Sequence, residues 1–199
     1  MKEMNAIQRG PLANCIALHD FGENDVDIKA LFEWSVAFYN AHGIVPTRMG
    51  LSGPLIKAKK TTTFAYGKKT LEKLGFQHVT SVELYSTPPN HGSDMFDSIF
   101  SMDLSLREKK KNTFILSFDD QIVSFDFAKM MVLSKQLADF INPKYGYIYQ
   151  RSFKMGPNWY PFGVISGLDR TKDKQERSNI TKWDDEYFMS TGSYKSGDL

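Results

Sequence analysis

The chain is poor in the features that would announce a class of function. It has a single cysteine, Cys15, so it can form no internal disulfide, and its setting in a run of small and apolar residues predicts a buried strand position in a protein of a reducing compartment. It has no run of about 18 apolar residues, the length a membrane-crossing helix needs. Residues 1–10 lack the apolar centre of a signal peptide, and a cytoplasmic location is the expectation. An excess of one charge is also missing. With 25 basic and 23 acidic residues the formal net charge is +2, too small to point to nucleic acid, although a nucleic-acid partner is not excluded by it. No repeat of fixed period is present. The four histidines, His19, His42, His78 and His91, never fall at a chelating spacing, so no metal and no cofactor is expected.

What the chain does have is aromatic residues: 15 Phe, 9 Tyr and 3 Trp, enough to supply much of a core and to leave anchors for an interface. A length of 199 residues suits one domain with a full core. The expected organisation is one α+β domain over residues 1–190 followed by a flexible Gly- and Ser-rich tail over 191–199, which either ends disordered or precedes an element cut from the chain.

Local patterns fill in the domain. Residues 13–19 read as a strand leaving through Asp20 and Gly22. A long helix follows, capped by Asn24 or Asp25 with Asp27 in its first turn. Ile28, Leu31, Phe32, Val36 and Tyr39 recur at helical spacing before Gly43 ends it. Residues 45–53 form a second strand. The lysine-rich stretch after it reads as a loop, a short helix runs from about Gly67 to Leu74, and Gly75 ends that helix. Residues 76–86 read as a strand. Residues 95–104 and 113–118 alternate in polarity and are expected to pair as a hairpin. Ser124 or Asp126 then opens a second long helix that stops at Asn142 and Pro143. Residues 145–153 form a further strand. The fold class is therefore α+β: a mostly antiparallel mixed sheet with two long amphipathic helices packed on one face.

The chemistry is sparse. Gly67-Lys68-Lys69-Thr70 is superficially similar to a phosphate-binding loop, but Thr62 stands where that loop needs glycine and Lys69 where it needs Ser or Thr. His19-Asp20 and Asp119-Asp120 sit at strand ends, where active sites of α/β enzymes gather and where Asp also serves turns. One hypothesis is accordingly a hydrolase or nucleic-acid-processing enzyme organised around these four residues. Asp97, Asp103 and Asp119 make the hairpin's acidic face, either a docking surface for a basic partner or the wet side of a sheet. Tyr145, Tyr147 and Tyr149 alternate onto one face, and with Trp159 and Tyr160 they form the densest aromatic cluster, either core or a binding platform.

The run from Tyr145 to Gly167 (Tyr-Gly-Tyr-Ile-Tyr, then Met-Gly-Pro-Asn-Trp-Tyr-Pro-Phe-Gly-Val-Ile-Ser-Gly) resembles the C-terminal half of uncharacterised bacterial proteins grouped with the immunity proteins of polymorphic toxins. The resemblance carries no catalytic signature. It implies a small cytoplasmic α+β protein that neutralises a toxin by binding it. The favoured expectation is thus a non-enzymatic binding module with a protein partner, and Trp159, Tyr160, Asp97, Asp103 and Asp119 are its candidate contacts. The oligomeric state is open.

Overall fold

In a computed structural model the chain is described over residues 12–22, 26–56, 61–87, 100–106 and 112–152. Asp97, Trp159, Tyr160 and the tail over 191–199 lie outside these residues. Among the described residues there are seven strands and three α-helices, in the order β1 (Leu12–His19), α1 (Ile28–Ala41), β2 (Arg48–Ser52), β3 (Thr62–Thr63), α2 (Phe64–Leu74), β4 (Ser81–Ser86), β5 (Phe100–Ser105), β6 (Thr113–Asp119), α3 (Phe127–Ile141) and β7 (Tyr145–Ser152). The strands form one sheet in the order β3-β2-β4-β5-β6-β1-β7. Every pairing in it is antiparallel, in line with the mostly antiparallel α+β sheet expected from sequence.

The helices follow their predicted faces and differ at their starts. Asp27 itself caps α1, its carboxylate accepting the Ala30 N–H at 2.9 Å, in place of Asn24 or Asp25. Asp126 caps α3 in the same way through Lys129 N at 3.2 Å, and Asn142 closes that helix in the left-handed conformation with φ 45°. α2 begins at Phe64, earlier than Gly67, because the Thr63 hydroxyl caps it. Gly67 consequently sits inside the helix, where an added Cβ would come within 2.8 Å of the Met49 side chain. Its role is close helix-to-strand packing rather than a phosphate cradle. Residues 76–78 form a 3₁₀ turn instead of a strand, and Phe76 packs its ring 5.8 Å from that of Phe32.

Alternation along the strands sends one set of side chains to the helices. Ile16, Leu18, Met49, Val82, Leu84, Met102, Leu104, Phe114, Leu116 and Phe118 meet Leu31, Phe32, Tyr39, Leu71, Met130, Leu137 and Ile141 in one core. Each such side chain taken fully out of water contributes roughly 1.5–3 kcal/mol. Both long helices therefore lie on one face, as the sequence implied, and α2 joins them there.

One polar cluster is tied into the end of this layer. The fully buried Asn14 donates to Asp120 Oδ1 at 3.0 Å and to the Val123 carbonyl at 2.6 Å. Gln150 donates to Asn14 Oδ1 at 3.0 Å and to Asp120 Oδ1 at 3.2 Å. The Phe125 N–H completes the shell of Asp120 at 2.7 Å. The turn leaving β6 is thereby fastened to β1 and β7 before α3 begins.

Candidate functional site

The face of the sheet turned away from the helices holds the residues that sequence singled out. Registers place Glu83 opposite Asp103, Tyr85 opposite Ser101, Ser117 opposite Cys15, and Cys15 opposite Tyr149. Asp119 and Arg151 flank Ala13 from its two sides. An acidic residue buried at mid-sheet is costly unless it finds a partner, so Glu83 asks for a local explanation.

Part of it lies in the room made for Glu83. The neighbouring position on β2 is Gly50, where an added Cβ would come within 2.6 Å of Glu83 Oε2. Tyr85 donates its hydroxyl to the same oxygen at 2.6 Å, a short bond to a carboxylate, and Glu83 is 3% exposed. A glycine floor and a phenol donor thus hold a buried carboxylate on the helix-free face.

This face is not the wet side of the sheet. Ala13, Cys15, Ala17, Ile115 and Ser117 are all buried, and Asp119 is 9% exposed. Asp119 accepts the Gln121 N–H at 2.9 Å and so also serves the turn after β6. Burial pushes the Cys15 thiol far above the ordinary thiol range, which keeps it protonated and unreactive, and pushes the Tyr149 phenol well above its usual value. The core assignment of Cys15 holds.

The three tyrosines of β7 share the face, as alternation required, and they pack on β1 rather than on the helices. His19 stacks on Tyr145 with ring centroids 5.3 Å apart and meets Tyr147 edge-on at 5.4 Å, and Tyr147 meets Tyr149 edge-on at 6.5 Å. The aromatic ladder therefore lies at the β1–β7 edge of the sheet, with β5, β6 and β1 between β7 and the Glu83 strand.

The proposed constellation of His19, Asp20, Asp119 and Asp120 does not assemble. His19 ends β1 and pairs with Thr113, whereas Asp119 ends β6 and pairs with Ala13, six residues away along β1. At about 3.3 Å per residue this separates the two pairs by roughly 20 Å. The physical reason is the antiparallel pairing: strand ends gather catalytic groups when neighbouring strands are parallel, and here the ends of β1 and β6 face opposite ways. Asp20 is instead paired with Lys144 at 3.2 Å, and Asp120 belongs to the Asn14 cluster. Acid–base work needs groups within reach of one substrate, so an enzyme organised around these four residues is ruled out.

Glu83, Tyr85 and Gly50 were not recognised from sequence as a unit. The signal present was an acidic residue inside an apolar strand, Val82-Glu83-Leu84, but the partner glycine lies 33 residues earlier and only the register joins them.

No known family and no curated protein sequence matches the chain. Among solved structures it is similar to the Pseudomonas aeruginosa T6SS protein PA0821. The likeness has a TM-score of 0.50 at 13% identity and covers 70% of this chain and 42% of that one. The chain spans about two-fifths of the length of that protein, and what the two share is the fold. Among the described residues no helix is long and apolar enough to cross a membrane.

Proposed function

We propose that the chain is a non-enzymatic protein-binding module of the immunity type, which neutralises a toxin by occupying it. The observation that carries this reading is the likeness of its fold to a type VI secretion protein, a setting compatible with toxins and their immunity partners. The resemblance around Tyr145 to Gly167 points the same way. Its contacts are Asp97 and Asp103 as acidic partners for a basic toxin surface, with Trp159 and Tyr160 as aromatic anchors, the residue type that dominates interface energetics; Asp119, 9% exposed and bound to the Gln121 N–H, serves the turn after β6 instead.

The test is a tagged pull-down from the native cell, with bound proteins identified by mass spectrometry and the affinity of any stoichiometric partner then measured. Trp159→Ala with Tyr160→Ala, and Asp97→Asn with Asp103→Asn, should each weaken that partner by tenfold or more, about 1.4 kcal/mol. Recovery of the protein with no macromolecule attached, or affinities unchanged in both variants, would sink the reading.

A further inference from the structure

α2 packs on the helix-bearing layer, opposite the face that holds Glu83. A cavity of about 580 Å³ opens beside this helix, floored by Leu51 and Ile56 and walled by Leu55, Tyr66, Lys69 and Lys73. Its size is that of a site which takes a compact ligand or a few side chains of a partner. Positions 66, 69 and 73 fall on one face of the helix, while Gly67 and Leu71 turn inward to the sheet.

Two features of the wall are costly if nothing covers it. Leu55 and Tyr66, both lining the cavity, are 59% and 64% exposed. Lys69 and Lys73 are like charges one turn apart, a spacing that destabilises a helix. Among the described residues neither has a carboxylate within ion-pairing distance, whereas Lys68 on the neighbouring face lies 3.9 Å from Glu72. Apolar floor, aromatic rim and two uncompensated ammonium groups together define their complement.

We infer that this groove is a docking site for an acidic, partly apolar segment of a partner protein. Its carboxylates meet Lys69 and Lys73, and its apolar side chains cover Leu51, Leu55 and Tyr66. α2 is 11 residues long, about 16 Å at 1.5 Å per residue, which suits an extended strand or one helix face rather than a single side chain. The inference goes beyond the binding role proposed above, because it concerns the other layer and a partner surface of opposite charge.

The probe is a short fluorescein-labelled peptide of glutamate and leucine in helical alternation, compared with a matched peptide of lysine and leucine. Binding to the full chain is read by fluorescence anisotropy at low and high salt. The acidic peptide should bind, weaken with salt, and bind roughly tenfold or more weakly to the Lys69→Glu, Lys73→Glu double variant. Leu55→Ala with Tyr66→Ala should weaken it as well, and Lys135→Glu, the same charge change on the exposed side of α3, should leave it unaltered. The substituted side chains are exposed, and matching thermal unfolding curves confirm that the variants fold; Lys69→Gln with Lys73→Gln serves as the milder pair. Equal binding of the two peptides, or unaltered binding to both lysine variants, overturns the proposal. The assay uses no toxin, so its failure is separate from failure of the immunity reading.

Discussion

The two faces of the sheet are built by different rules. Toward the helices stand Ile16, Leu18, Leu84, Leu116 and Phe118, large side chains whose only requirement is to fit. Away from them stand Ala13, Cys15, Ala17, Ser117, Glu83 and Tyr85, small or polar and equally withdrawn from water. The first face is stabilised by volume, the second by specific partners, as the Glu83 carboxylate over Gly50 illustrates. A face of that second kind tolerates little change of shape or charge, since each polar group loses hydration and regains it only through a placed donor or acceptor.

The apolar face is the more sensitive to lost volume. Leu116→Ala should cost roughly 2–5 kcal/mol in urea unfolding, because the packed helices cannot collapse fully into the space. An effect below about 1 kcal/mol would mean that the helix layer is loosely seated. On the same layer but of the other kind, Asp120→Ala removes the acceptor of Asn14, Gln150 and the Phe125 N–H. The expected loss is about 2–3 kcal/mol, as for hydrogen bonds to a charged group with buried donors left behind. The restoring test is Asp120→Asn, which keeps one acceptor oxygen and should recover part of the loss.

On the opposite face the expected effects are smaller and more specific. Tyr85→Phe removes one hydroxyl and leaves the ring, and should cost about 1–3 kcal/mol because Glu83 loses a donor while staying buried. Pairing it with Glu83→Gln in a double-mutant cycle measures the coupling; strictly additive losses would show that the two side chains do not act together.

The smallest effect is a pH dependence. The Cys15 thiol is raised in the folded chain by desolvation, so it stays protonated where the unfolded thiol ionises. The unfolded chain then binds fewer protons than the folded one, and this contribution to stability is complete below about pH 8.5 and falls as pH rises above it. Cys15→Ala should flatten that part of the stability profile. A thiol reagent added to the native protein at pH 8 should react no faster than the chain unfolds, and rapid reaction would show the helix-free face to be open around β1.

Much of the frame was legible because local chemistry and tertiary structure agreed. Cys15 within an apolar run, the 3.6-residue stripes of α1 and α3, Asp126 and Asn142 at the two ends of α3, and the alternation of Met102, Leu104, Phe114 and Leu116 each fix an element from its own neighbours. Failures came where a distant contact decided. Thr62 and Thr63 looked like loop until they paired with β2, and residues 76–78 kept strand-like composition while Phe76 turned to pack on Phe32. The candidate site was legible only as a set of names. Strand ends placed His19 and Asp119 correctly, but nothing local says that β1 pairs antiparallel with β6 and sends them to opposite ends of the sheet.

By itself, then, the sequence determined the two long helices, most of the strands, their apolar faces, the α+β class and the tyrosines' common side, all set by periodicity and capping within a few turns of chain. Tertiary structure alone decided the strand order, the joining of Gly50, Glu83 and Tyr85, and the separation of the two acidic strand ends. Strand pairing is the physical reason. It is a choice among surfaces far apart in the chain, and side chains acquire neighbours across strands only once that choice has been made.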